Sequence, residues 1–166
     1  MNELHDMGLV QWIEYLQSIG KNSFSLTMAQ EQLKGLSKIA LKSALNRLSK
    51  KGKILSIHKG FYIIISPQYK NRGIIPPLLY LDALMSDLKR PYYVGLINAA
   101  AFYGAGHQQP QEFFVITDFP NLRPTIKKYL RVNYISKKNI PDHLIEIKNT
   151  ESGFIKFSNP ILTALD

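Results

Sequence analysis

The chain has 166 residues, 45% apolar and 20% charged, with a formal net charge of +9, which is enough for one ordinary domain or two small ones and calls for a polyanionic partner, nucleic acid or an anionic membrane surface. The absence of cysteine excludes a disulfide scaffold, a thiolate zinc site and a cysteine nucleophile, and fits a cytoplasmic location. No run of about 18 apolar residues is present to span a membrane, and the first residues lack the basic and apolar regions of a secretory signal.

In chain order, Met7 to Ile19 reads as a helix, because Leu9, Trp12, Ile13, Leu16 and Ile19 form one apolar stripe. Ser25 or Thr27 caps a short second helix that runs to about Lys34. Ser37 caps a third, from Lys38 to about Lys51, closed by Gly52. Lys53–Ile57 and Phe61–Ile65 are rich in β-branched and aromatic residues, and His58-Lys59-Gly60 joins them as a hairpin. Helix, helix, turn, helix, hairpin is the order of a winged helix-turn-helix, expected over residues 1–70. Lys70 to Gly73, followed by Pro76-Pro77, reads as a linker.

A second domain, 74–166, follows as a mixed α/β region, so the fold class is α+β. It is expected to open with a helix from Pro77 to about Leu88 and a buried helix from Tyr93 to Gly104. Strands are expected at Phe113–Thr117, Val132–Ile135, Leu144–Ile147 and Phe154–Phe157, with a short basic helical turn over Pro124–Leu130. The last residues, Ser158 to Asp166, read as a capped helix of about one and a half turns. A helix that short is not stable alone, so the sequence is expected to be a truncated part of a longer protein.

Charge is concentrated. Between Lys34 and Lys59 stand eight cations (Lys34, Lys38, Lys42, Arg47, Lys50, Lys51, Lys53, Lys59) and no carboxylate. On the third helix, Leu41, Ala44, Leu45 and Leu48 make the inward stripe. Lys38, Ile39, Lys42, Ser43 and Asn46 project from the other side of the first half, the part that enters the major groove in helix-turn-helix proteins. Asn pairs bidentately with adenine, Lys donates to guanine, and Ile39 suits a thymine methyl. Ser37, Arg47, Lys50, Lys51, Lys53, His58 and Lys59 are the candidates for gripping phosphates, and the hairpin tip His58-Lys59-Gly60 would reach a minor groove or a phosphate. The plainer reading is a solvated lysine-rich helix. The agreement of cap, helix, hairpin and acid-free charge run favours DNA.

Two other constellations stand out. Pro141-Asp142 with Glu146 and Lys148 has the letters of a PD…(D/E)xK nuclease. Period-two alternation would put Asp142, Glu146 and Lys148 on one strand face, where two carboxylates could hold Mg²⁺. That pattern, however, places its Asp and its (D/E)xK on neighbouring strands with many more residues between them, and a surface strand is favoured. His107 and Gln108, after Gly104-Ala105-Gly106, form a candidate functional loop, with a glycine-bent turn as the plainer reading. The four histidines lack metal-ligand spacing, and neither a cofactor nor a metal is expected.

Several segments resemble the AbiEi abortive-infection antitoxins. They are Gly52-Lys53-Ile54-Leu55 through Lys59-Gly60-Phe61-Tyr62-Ile63-Ile64, Pro76-Pro77-Leu78, Tyr92-Tyr93-Val94-Gly95-Leu96-Ile97-Asn98-Ala99-Ala100, Tyr103-Gly104-Ala105-Gly106-His107-Gln108-Gln109-Pro110 and Phe114-Val115-Ile116-Thr117. The resemblance implies a bacterial phage-defence protein that is not an enzyme. Its winged helix would bind inverted repeats in double-stranded DNA, as a dimer, and repress its own toxin–antitoxin operon. Its second domain would counter a nucleotidyltransferase-like toxin without a stable complex. The rival readings from the residues are a Mg²⁺-dependent nuclease and a protein-interaction module that uses the winged helix.

Overall fold

The computed structural model describes residues 8–72, 75–105, 110–127 and 130–166, with residues 70–72 described by their backbone alone. The fold class is α+β. The chain divides into two compact units, 1–75 and 76–166.

The first unit runs α1 (Leu9–Ser18), β1 (Ser23–Ser25), α2 (Leu26–Gln32), α3 (Lys38–Lys50), β2 (Ile54–His58), β3 (Phe61–Ile64) and α4 (Pro67–Arg72). Its three strands form an antiparallel sheet in the order β1-β3-β2. The core is set by helical periodicity. Leu9, Trp12, Ile13 and Leu16 of α1 meet Leu41, Leu45 and Leu48 of α3, with Ile54 and Ile64 from the sheet. Phe24 stands edge-on to Trp12 at 5.1 Å and stacks on Tyr62 at 5.4 Å. Strand β1 is absent from the sequence reading, because three residues are too few to display alternation. Residues 70–72, read as linker, belong to α4.

The second unit contains a 3₁₀ turn (Pro77–Leu79), α5 (Leu81–Asp87), β4 (Tyr92–Val94), α6 (Leu96–Phe102), β5 (Phe113–Thr117), β6 (Thr125–Lys127), β7 (Leu130–Ser136), a 3₁₀ turn (Asp142–Leu144), β8 (Ile145–Thr150), β9 (Gly153–Ser158) and α7 (Pro160–Leu165). Its mixed sheet has the order β6-β7-β5-β4-β9-β8. Strand β4 pairs antiparallel with β5 and parallel with β9, while β5 pairs parallel with β7. A small core of Tyr93, Ile116 and Leu162 lies between this sheet and α7.

Three expectations are corrected here. The helix expected from Pro77 is interrupted: Tyr80 stands between the 3₁₀ turn and α5 at φ −141°. The helix expected from Tyr93 begins instead with strand β4, all three of whose residues are buried, so no alternation marks it as a strand. Gly95, where a Cβ would come within 2.5 Å of Ile116 Cδ1, continues the extended path, and the chain changes direction at Leu96, φ 54°, as it enters α6. The basic helical turn over Pro124–Leu130 is replaced by β6, which pairs antiparallel with β7 and buries Thr125 opposite Val132. Sheet pairing there outweighs local helical preference.

Candidate nucleic-acid interface

The outer face of α3 is built from its two ends. At the N-terminus Ser37 Oγ accepts from the Ala40 amide at 3.1 Å, and no acidic residue occupies the first turn. The positive end of the helix dipole is therefore not offset by a carboxylate there. At the C-terminus the Gly52 amide donates to Ser49 O and the Lys53 amide to Leu48 O, each at 3.0 Å. Gly52 adopts φ 67°. This is the Schellman closure, which a left-handed glycine makes available. It fixes the path of Lys50, Lys51 and Lys53 as the chain leaves the helix.

Leu41, Leu45 and Leu48 are buried. Opposite them Ile39, Ser43, Asn46 and Lys50, spaced i, i+4, i+7, i+11, line one exposed stripe. Lys38 and Lys42 flank it on one side and Arg47 on the other, all exposed. Ile39 is 80% exposed. A β-branched apolar side chain so open to water contributes nothing to the core, although a single exposed apolar residue is ordinary by itself.

The hairpin that follows is short. Ser56 pairs with Tyr62 and His58 with Phe61, so Ile57 is the extra residue of a bulge and Lys59-Gly60 form the turn. His58 and Lys59 are exposed. The Gly60 carbonyl accepts from the Leu26 amide at 2.7 Å. The tip is thus fastened to the start of α2, a geometry suited to a phosphate contact rather than to a long arm in a groove. Lys34, exposed in the turn before α3, had no role assigned from sequence although it lies in the same carboxylate-free run. Among the described residues, the ion pairs all fall in the second unit, and none engages Lys34, Lys38, Lys42, Arg47, Lys50, Lys51, Lys53 or Lys59.

The other candidates fare differently. Asp142 stands in a 3₁₀ turn, not on the strand that carries Glu146 and Lys148. Glu146 and Lys148 are ion-paired with each other, and that contact holds the Glu146 carboxyl below its usual range. Among the described residues no group of three His, Asp or Glu side chains is placed to hold a metal. The one-face triad that the disfavoured nuclease reading requires is therefore not assembled. His107 and Gln108 lie outside the described residues. Among the described residues no helix is long and apolar enough to cross a membrane. No protein-family model matches the chain, and no curated protein matches it.

Proposed function

We propose that the N-terminal unit is a winged helix that binds duplex DNA, with α3 in the major groove and the β2–β3 turn on the adjacent backbone. The order α1-β1-α2-α3-β2-β3 and the strand order β1-β3-β2 support this reading. One observation carries the reading: every assigned contact residue, Ser37, Lys38, Ile39, Lys42, Ser43, Asn46, Arg47, Lys50, Lys51, Lys53, His58 and Lys59, is exposed. Their cations are free of carboxylate partners among the described residues. Such a surface releases condensed counterions when it meets phosphates. The resemblance to AbiEi antitoxins extends the proposal: the protein represses its own toxin–antitoxin operon through inverted repeats and counters a nucleotidyltransferase-like toxin.

The test is binding of the full chain to a duplex from its own upstream region, titrated across salt concentrations. With about five phosphates met per protomer, log affinity falls against log salt with a slope of about −4.5. A slope near zero rejects the proposal. Replacing Asn46 by Ala separates base reading from charge. Discrimination between the operator and a scrambled duplex falls by about 1–3 kcal/mol if Asn46 reads adenine. Equal weakening on both duplexes removes it from the base-reading set.

A further inference from the structure

Strand β8 is the outermost strand of the six-stranded sheet, and the direction of its backbone groups can be deduced. The Asn159 amide donates to Leu144 O at 2.8 Å. This extends by one pair the register in which Ile145 faces Ser158. Hydrogen-bonded and non-hydrogen-bonded pairs alternate along an antiparallel ladder. The hydrogen-bonded pairs are therefore Glu146/Phe157, Lys148/Ile155 and Thr150/Gly153, as the two-residue turn at Glu151-Ser152 also requires. It follows that the amides and carbonyls of Ile147 and Asn149, and the Ile145 carbonyl, point to the edge that no described strand covers, while the Ile145 amide donates to Asp142 O of the preceding 3₁₀ turn.

Natural edge strands are usually blunted by proline, a bulge, brevity or charged side chains, and the one lysine of β8, Lys148, is already paired with Glu146. Strand β8 has six residues, no proline and an unbroken register with β9. Its central residue, Ile147, is 64% exposed. Around Ile147 the sequence is self-complementary, with Glu146 one position before and Lys148 one after.

We propose that β8 pairs antiparallel with β8 of a second copy of this chain, centred on Ile147, to give one continuous sheet. In this register Ile147 faces its own counterpart as a hydrogen-bonded pair. Glu146 of each copy then faces Lys148 of the other as a non-hydrogen-bonded pair, where opposed side chains stand closest. The register is selective. Centring one residue later sets Lys148 against Lys148, and one residue earlier sets Glu146 against Glu146; both arrangements are repulsive.

The charged side chains are already held on one face of the sheet. Glu146 is ion-paired with Lys148 and accepts from the Tyr103 hydroxyl at 3.3 Å. Lys148 Nζ lies 5.8 Å from the Phe102 ring and 5.9 Å from the Tyr103 ring. Pairing two copies turns two intrachain ion pairs into a four-charge cluster of alternating sign. On the opposite face it brings the two Ile147 side chains together, near the exposed Phe154 of each copy. Two short strands make a small interface, so the dimer is concentration-dependent. The proposal rests on the second unit alone and stands apart from the DNA-binding reading.

Sedimentation velocity on the full chain tests it. The unaltered protein forms a concentration-dependent dimer. Ile147→Pro abolishes it while leaving the circular dichroism spectrum intact, because proline is tolerated on an edge strand whose amide faces outward. Glu146→Lys and Lys148→Glu each weaken the dimer about tenfold or more. An equimolar mixture of these two variants recovers it, since every facing pair is then of opposite sign. The proposal is overturned if the unaltered chain is monomeric at all concentrations, if any of the single variants leaves the dimer intact, or if the mixture fails to recover it.

Discussion

The Leu26 amide donates to the Gly60 carbonyl at 2.7 Å, so the first residue of α2 is anchored to the turn of the β2–β3 hairpin. Three features converge on this bond: the Ser25 cap, whose Oγ accepts from Met28 at 3.2 Å, the end of β1, and the cationic turn at Lys59. The position of the hairpin tip beside the helices is therefore set by backbone contacts rather than by long side chains.

Gly60 holds φ 76° at this turn, and a Cβ there would meet only Leu26 Cβ at an ordinary 3.7 Å. Space is available, and the penalty is confined to the backbone. Gly60→Ala accordingly lowers unfolding stability by about 1–2 kcal/mol, measured by denaturant titration. A loss well above this would mean that packing, not dihedral preference, requires glycine.

Ser37 separates the fold of α3 from its proposed ligand. Ser37→Asp keeps an oxygen for the Ala40 amide and places a negative charge at the favourable end of the helix dipole. Thermal stability should hold or rise slightly. Affinity for DNA should fall, because the new carboxylate faces phosphate. Ser37→Ala should instead lose about 1 kcal/mol of stability. Denaturation curves and anisotropy titrations of the two variants distinguish capping from charge.

The two ends of α3 show what sequence can convey. Ser37 and Gly52 bracket α3 by local chemistry alone, and the helix lies where they put it, Lys38–Lys50. The Leu41, Leu45, Leu48 seam was legible for the same reason: helical spacing separates inside from outside without knowledge of the rest of the chain. Partners distant in sequence were not legible. The Leu26–Gly60 bond joins residues 34 apart, and β1 acquires its identity only by pairing with β3. Strand β4 is buried on both faces, so Tyr92-Tyr93-Val94 carries no periodicity, and the adjoining Ala-rich α6 drew it into one helical reading. Glu146 and Lys148, two residues apart, were placed on one strand face by alternation, but their pairing with each other rather than with a metal was not legible.

In the second unit the Glu112 carboxylate accepts from Arg131 Nη1 at 2.8 Å and from Asn133 Nδ2 at 2.7 Å. These contacts, with the Arg131 bond foremost, hold its carboxyl below the usual range. A depressed folded-state value means that the contribution is present above the unfolded value and disappears as pH falls through the folded one. Glu112→Gln should be less stable than the unaltered chain near neutrality, and the gap should close on acidification below the ordinary carboxylate range. Thermal melts of both proteins from neutral to acidic pH give the comparison. A gap that widens with acid would contradict the assignment. The effect is small because the pair is open to solvent.

Ile39 offers the sharpest test of the α3 stripe, since stability and binding should move in opposite directions. At 80% exposure its side chain contributes nothing to the core, and alanine is the better helix former by roughly half a kcal/mol. Ile39→Ala should therefore leave the melting temperature unchanged or raise it. If the stripe enters a major groove, the same change removes an apolar contact to a thymine methyl, so binding to the operator weakens while binding to an unrelated duplex does not. Parallel anisotropy titrations on both duplexes read this out. Unchanged affinity for both would mean that the middle of the stripe stays clear of the bases, and the docking of α3 would have to be rotated toward Lys42 or Arg47.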